Sequence, residues 1–267
     1  MAKRSGTSGK RTASRASKGP GRGKKSTARG VEAAARRGLT RRPFRPFRWL
    51  GFLALRTITI AILGTVALIL ALAVINPPTT YYMWSEGRRL GGVDQAWVPL
   101  EEIAPVMPRS VVAAEDANYC THWGFDVVAI RTALEEGSGR GASTISQQVV
   151  KNVFLWHGRS WTRKALEAAI TPAVEAIWSK RRILEVYLNV AEFDEGVFGI
   201  EAASRHYFGI GPEDLSAGQA ARLAAVLPAP KVRSASAPTD RLRRRAASIM
   251  DGAATIRADG RAACFED

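Results

Sequence analysis

Between Val111 and Asp126 the chain reads V-V-A-A-E-D-A-N-Y-C-T-H-W-G-F-D. An apolar lead-in delivers Glu115 and Asp116 at its end, and Tyr119, His122, Trp123 and Gly124 follow closely. Burying an acidic pair is costly, because desolvation penalises each charge. Such a pair is therefore expensive to bury without a purpose. The pair also has a plain structural use, with Asp116 capping a helix start and Glu115 solvated.

A second polar cluster lies in Gly141–Leu155, G-A-S-T-I-S-Q-Q-V-V-K-N-V-F-L. Ser143, Thr144 and Ser146 crowd the predicted start of a helix beside Gln147 and Gln148. Free N–H groups at a helix start favour anions, and these side chains add donors suited to phosphate or sugar hydroxyls. One of Ser143 and Thr144 is expected to serve as the N-cap in any case. Next comes Arg159-Ser-Trp-Thr-Arg163-Lys164-Ala-Leu-Glu167. On a helix Glu167 is an i,i+3 neighbour of Lys164 and an i,i+4 neighbour of Arg163, which by itself reads as a surface ion pair.

The elements that must position these groups are mostly helical. Leu166, Ile170, Val174 and Ile177 recur at helical spacing, as do Ile183/Leu184 with Tyr187/Leu188. Ser216 is placed to cap a helix over Ala217–Val226 that Pro228 and Pro230 end, and Gly209 to close one over Ile200–Phe208. Asp240–Ile256 predicts a last helix with Arg241, Arg243, Arg244 and Arg245. Alternating strands are not evident, and Glu136–Ala142 reads as a flexible loop. Cys120 and Cys264, 144 positions apart, match no metal pattern and are expected as two free thiols.

The net charge of +15 invites a nucleic-acid reading until it is located. Residues 1–48 hold sixteen Lys/Arg and one acid, so the remainder is neutral. That tail is poor in large apolar residues and is expected to be disordered. Weak attraction to anionic lipid accounts for it better than DNA does. Thr57–Ile75 then gives nineteen uncharged residues, about 28 Å as a helix and long enough to span a bilayer. Trp49 and Tyr81, Tyr82 and Trp84 flank it as interfacial rings. The run exceeds a signal-peptide core, so it is read as an uncleaved anchor despite Arg41-Arg42 and Ala71-Leu72-Ala73. The expected division is a cytoplasmic tail (1–48), a transmembrane signal anchor (49–75) and a periplasmic domain (76–267), by the positive-inside bias.

Five stretches together resemble the peptidoglycan glycosyltransferases, glycosyltransferase family 51, in their monofunctional membrane-anchored form. They are E-D-A-N-Y-C-T-H-W-G, G-A-S-T-I-S-Q-Q, R-K-A-L-E, S-K-R-R-I-L-E-V-Y-L-N and G-V-F-G-I-E-A-A. Against the family pattern, Tyr119 replaces Phe, Ala142 replaces Gly, Ser146 replaces Thr, and Asp194-Glu195 precedes Gly196 where a glycine is usual.

The resemblance implies a mostly α, lysozyme-like domain with a large lobe and a small membrane-facing jaw, behind one transmembrane helix in the inner membrane. It implies that lipid II is polymerised by inverting β-1,4 transfer from a glycan chain on undecaprenyl diphosphate. Glu115 is then the general base and Glu167 the second site carboxylate. Lys151, Arg159, Arg163 and Lys164 are expected to receive the leaving diphosphate, with a divalent metal (Mg or Mn) as an option and not a requirement. Ser143, Thr144, Gln147 and Gln148 are expected to hold sugars and phosphate. Asp116 is a candidate for substrate binding, although it and His122 suit bracing of the Glu115 loop better. Glu175 and Glu185 are read as structural. With no S-x-x-K and K-T-G transpeptidase signature following, crosslinking is expected from partner transpeptidases or division proteins, with no nucleic-acid partner. The rival readings are a lytic muramidase, which needs a general acid more than cations, and a membrane scaffold acting through its basic tail.

Overall fold

The computed structural model describes residues 46–135 and 143–266. Most of the basic tail and the glycine-rich 136–142 loop lie outside the described residues, so neither expectation about them is addressed. The chain divides into two units, residues 1–56 and 57–267. Helix α1 (Pro46–Leu72) begins in the first. Among the described residues it is the one helix long and apolar enough to cross a membrane. Its Phe52, Leu55, Ile60 and Leu63 are exposed, the reverse of a core helix.

Among the described residues nine further helices follow: α2 (Tyr81–Leu90), α3 (Val106–Glu115), α4 (Val127–Glu135), α5 (Ile145–Phe154), α6 (Trp161–Ile177), α7 (Lys180–Val190), α8 (Ile200–Phe208), α9 (Ala217–Val226) and α10 (Asp240–Ala258). The mostly helical class expected from periodicity is what the structure has. Local chemistry explains the starts. Thr144 with Gln147, and Ser216 with Gln219, form reciprocal capping boxes. Ser160, Ser179 and Thr239 accept N–H bonds at the heads of α6, α7 and α10. Gly209 ends α8 at φ +70°, as its position predicts.

One class of element escaped the periodicity. A three-stranded sheet, ordered β1 (Asp94–Gln95), β3 (Val197–Phe198), β2 (Glu192–Asp194), joins the segment before α3 to the turn after α7. Strands of two and three residues carry no alternation to read. Glu195 in this turn pairs with Arg89 at 2.6 Å, and Asp194 accepts from the Tyr207 hydroxyl at 2.8 Å. The acidic residues that depart from the family pattern therefore tie the turn down.

The core forms around α7, whose Ile183, Leu184, Val186, Tyr187 and Leu188 are all buried. Helix α5 packs on α6 and α7, while α3, α9 and α10 pack on one another. The two blocks bring the ends of α3 and α5 together. Tyr81 and Trp84 are exposed, whereas Tyr82 stacks on His157 and Trp97 packs against the core.

Cys120 and Cys264 form a disulfide, with Cα atoms 5.6 Å apart. This corrects the expectation of two free thiols. The pairing is produced by the return of the chain after α10 to the Tyr119–Thr121 turn, which no local pattern encodes.

Candidate active site

Glu115 is the last residue of α3, where the helix stops and the chain turns into Asp116. The Gln148 side-chain amide donates to Glu115 Oε2 at 3.0 Å, and the Tyr187 hydroxyl donates to Gln148 Oε1 at 3.2 Å. Tyr187 therefore sets which way the amide faces, and the amide sets the carboxylate. Burial raises the Glu115 pKa above the ordinary value, against the Gln148 bond and the charges of Arg245, Lys151 and Arg233, which lower it. A carboxylate with a raised pKa and one free oxygen is suited to accept a proton.

Asp116 faces the other way. One oxygen lies 2.8 Å from His122 Nε2, and the other accepts from the Ile145 N–H at 3.0 Å. Asp116 thus caps a helix start, but that of α5, twenty-nine residues on. His122 Nδ1 is buried with no partner among the described residues. Both side chains brace the Glu115 turn against α5 and stay off the cleft.

The hydroxyl and amide cluster divides similarly. Thr144 is buried, donating to Gly124 O at 2.7 Å and accepting from Gln147 N. Gln147 Oε1 accepts from Thr144 N at 3.1 Å. Ser146 donates to Glu175, which also pairs with Lys180 at 2.8 Å. Ser143 accepts from Lys164 Nζ at 3.1 Å. Of this cluster, Gln148 is the member that reaches Glu115. Gly124, at φ +80°, admits no side chain: an added Cβ would sit 2.6 Å from Thr171 Cγ2.

Glu167 is 2% exposed and is held between Arg163 Nη1, at 2.7 Å, and Lys164 Nζ. The carboxylate at the centre of this triplet is buried while Lys164 reaches it from the surface, which differs from the solvated pair that spacing alone suggested. Lys151 sits between the two carboxylates electrostatically, feeling both Glu167 and Glu115, and burial lowers its pKa. It has no hydrogen bond or ion pair among the described residues. Its ammonium lines a cavity of about 330 Å³ with Gln148, Tyr82, His157, Glu192 and Lys231. His157 is held at a pKa of about 4 by desolvation and by the charges of Lys151, Arg163 and Lys231. It is neutral there at pH 7. Arg159 is exposed on the linker between α5 and α6.

A second cavity, of about 1000 Å³, is lined by Glu115 itself together with Arg233, Arg241 and Arg245. The two cavities share Pro228 and Val232. Sequence reasoning gave no role to Tyr187 or to these arginines. The basic face of α10 was the available signal, and Tyr187 lay inside a quoted stretch.

An all-protein cage for a divalent metal is not formed among the described residues. Both Glu167 oxygens are taken by cations, and no three His, Cys, Asp or Glu side chains converge among the described residues. The chemistry available is a poised base on one side and an unneutralised cation on the other, the pairing needed to activate a hydroxyl and receive an anion.

A helical enzyme domain behind a membrane-length helix, with that site, is the class the fold defines. The family model described as Transglycosylase matches residues 85–254, and the chain belongs to this family. A protein of Jannaschia sp. (strain CCS1) named biosynthetic peptidoglycan transglycosylase is 65% identical over 197 residues, covering 74% of this chain and 82% of the relative. Relatives of the same name are 48% identical in Pseudomonas fluorescens (strain SBW25) and 46% identical in Rhodospirillum centenum. They cover 74% and 80% of this chain and 87% and 96% of their own lengths.

Proposed function

We propose that this chain is a peptidoglycan glycosyltransferase that polymerises lipid II and that Glu115 and Lys151 carry the reaction between them. The observation behind this assignment is the pairing of a buried, hydrogen-bonded carboxylate with a half-buried lysine that makes no ion pair among the described residues.

Glu115 takes the proton from the acceptor sugar hydroxyl as its oxygen attacks the anomeric carbon of the donor. The bond from that carbon to the diphosphate breaks, and the electron pair leaves with the lipid diphosphate, inverting the centre. The proton passes from Glu115 to solvent. Fixed cations aimed at a departing anion stabilise it without reorganisation. Lys151 supplies the nearest charge, and Arg159, Arg163 and Lys164 the remainder. Glu167 holds Arg163 and Lys164 in place as a positioning residue. Ser143, bonded to Lys164, and Gln148, bonded to Glu115, stand at the rim where sugar and phosphate meet the protein. No step is routed through a metal. Neither a lytic muramidase nor a scaffold draws support from the family or from its relatives' names.

The orientation follows from two features. The basic tail favours the cytoplasmic side, and a disulfide persists in an oxidising compartment. The catalytic domain then lies in the periplasm, held at the inner membrane where its lipid-linked substrate resides, and crosslinking falls to partner transpeptidases. Purified protein given lipid II should release growing glycan strands, and given finished peptidoglycan should release no fragments. Solubilised muropeptides from the polymer would overturn the assignment.

A further inference from the structure

Residues 259–266, which follow α10, lie beyond residues 85–254, the stretch that the family model matches. They are nonetheless bonded closely to the turn that carries Glu115. Ala262 and Phe265 are buried. Arg261 donates to Ala117 O at 3.0 Å, two residues past Glu115, and Asp259 holds the same guanidinium at 2.8 Å. Cys264 is joined to Cys120. The Phe265 ring lies against Tyr119, with centroids 6.2 Å apart. A hydrogen bond, a covalent bond and an aromatic contact therefore fall on residues 117–120, while Asp116 fastens the head of that turn to α5.

The same segment reaches both helices behind the turn. Glu266 pairs with Arg109 of α3 at 2.9 Å, and the Arg181 guanidinium of α7 donates to Phe265 O at 3.1 Å. Tyr119 adds a further tie to α7: its hydroxyl donates to Lys180 O at 2.8 Å, and Lys180 Nζ lies 4.5 Å from its ring centroid. The Phe of the family pattern has no hydroxyl to make the first of these. Helix α3 ends in Glu115 and α7 carries Tyr187, the outer members of the Glu115–Gln148–Tyr187 chain. The direction of the carboxylate thus depends on where α3 stands relative to α7. A segment bonded to both helices, and to the turn after Glu115, fixes that relation.

We infer that residues 259–266 are a positioning strap for the catalytic base, locked by the Cys120–Cys264 bond, so that glycosyl transfer is fastest when that bond is formed. This rests on the glycosyl-transfer reading above. The strap acts through the turn and not on the substrate, so loosening it misaims the base and lowers kcat while KM stays in place. A dithiol opens the lock: the S–S bond breaks, each cysteine sulfur gains a hydrogen, and the two electrons come from the dithiol, which closes to its own disulfide.

The test uses the full chain in detergent with lipid II as substrate, at a temperature where circular dichroism shows each variant folded. Cys120→Ser/Cys264→Ser should lower kcat about tenfold, with KM within about twofold. Dithiothreitol, with release of both thiols followed, should reproduce that loss in the wild type and leave the double variant unchanged. Arg261→Gln, at a partly exposed side chain, should lower kcat about threefold, a fraction of one charge-assisted hydrogen bond. Arg261→Lys, which keeps a donor, should restore most of it. In the Cys pair and in Arg261→Gln the acid limb set by Glu115 should move toward the ordinary glutamate value, without reaching it, as water gains access to the carboxylate. A segment that only stabilises the fold would not move that limb. Arg257→Gln, exposed on α10 ahead of the strap, should leave both constants unchanged. Wild-type kcat and an unmoved limb in the folded Cys pair and in Arg261→Gln would overturn the strap, as would a change confined to KM. Full activity of Glu115→Gln would overturn the transfer reading beneath it.

Discussion

Glu115, the base of the proposed reaction, is buried at the expense of the fold. Its pKa is raised in the native state while the unfolded chain keeps the ordinary value, so the folded protein binds that proton more tightly. Above the folded pKa the desolvated charge destabilises the protein, and the penalty disappears as pH falls below the unfolded value. Glu115→Gln should therefore raise Tm at neutral pH, with the gain fading in acid, while polymerisation falls by at least about two orders of magnitude. A lower Tm at pH 7 would contradict the burial argument. The activity profile should show an acid limb above the usual glutamate range, absent in no active variant that retains Glu115. Lys151→Ala should lower turnover on the order of 10²-fold by removing one electrostatic contact from the leaving group. Near-normal strand growth by that variant would refute its role. At this scale the sequence was partly legible: Glu115, Lys151 and Glu167 stand out by type and spacing. Thr144 and Gln147 read equally well as ligands, and only their mutual capping bonds place them inside.

The elements matter because none of them holds the site alone. Glu115 ends α3, Gln148 sits in the first turn of α5, and Tyr187 lies in α7. Tyr187→Phe removes the bond that orients the Gln148 amide, and should cut kcat about threefold to tenfold, the range for one neutral hydrogen bond. A change in KM alone would assign Tyr187 to packing. A second joint fastens α1 to the domain. The Arg182 guanidinium donates to Leu72 O and Ile75 O, pairs with Glu185 and lies over the Trp97 ring. The Trp178 indole donates to Ile69 O at 2.8 Å. The bond to Leu72 O satisfies a carbonyl that the end of α1 leaves free, while Ile69 O is shared with the Ala73 N–H. Arg182→Ala should destabilise the domain by about 1–3 kcal/mol, the cost of leaving such groups unpaired, measured by denaturant unfolding in detergent. Caps and helical periods were readable because they are local. The role of Arg182 was not, because the carbonyls it binds, Leu72 and Ile75, are more than a hundred residues away.

For the whole molecule, the Cys120–Cys264 bond closes a loop over most of the domain that follows α1, from the turn after Glu115 to the segment after α10. Cutting so long a loop typically costs about 2–5 kcal/mol. Reductant, or the Cys120→Ser/Cys264→Ser pair, should lower Tm accordingly and loosen α10, whose arginines face Glu115. An unchanged Tm under reduction would show that packing alone holds the C-terminal segment. The sequence by itself determined the features that depend on neighbours along the chain: a basic tail, one membrane-length apolar run, helix periods with their caps, and charged groups suited to base and cation chemistry. Tertiary structure alone decided which of those groups meet. It paired the cysteines, drew Glu167 inside, left Lys151 without an ion pair among the described residues and set three arginines beside Glu115. Periodicity and capping arise from bonds a few residues long, whereas burial, pKa shifts and unneutralised charge arise from surroundings that only the packed chain supplies.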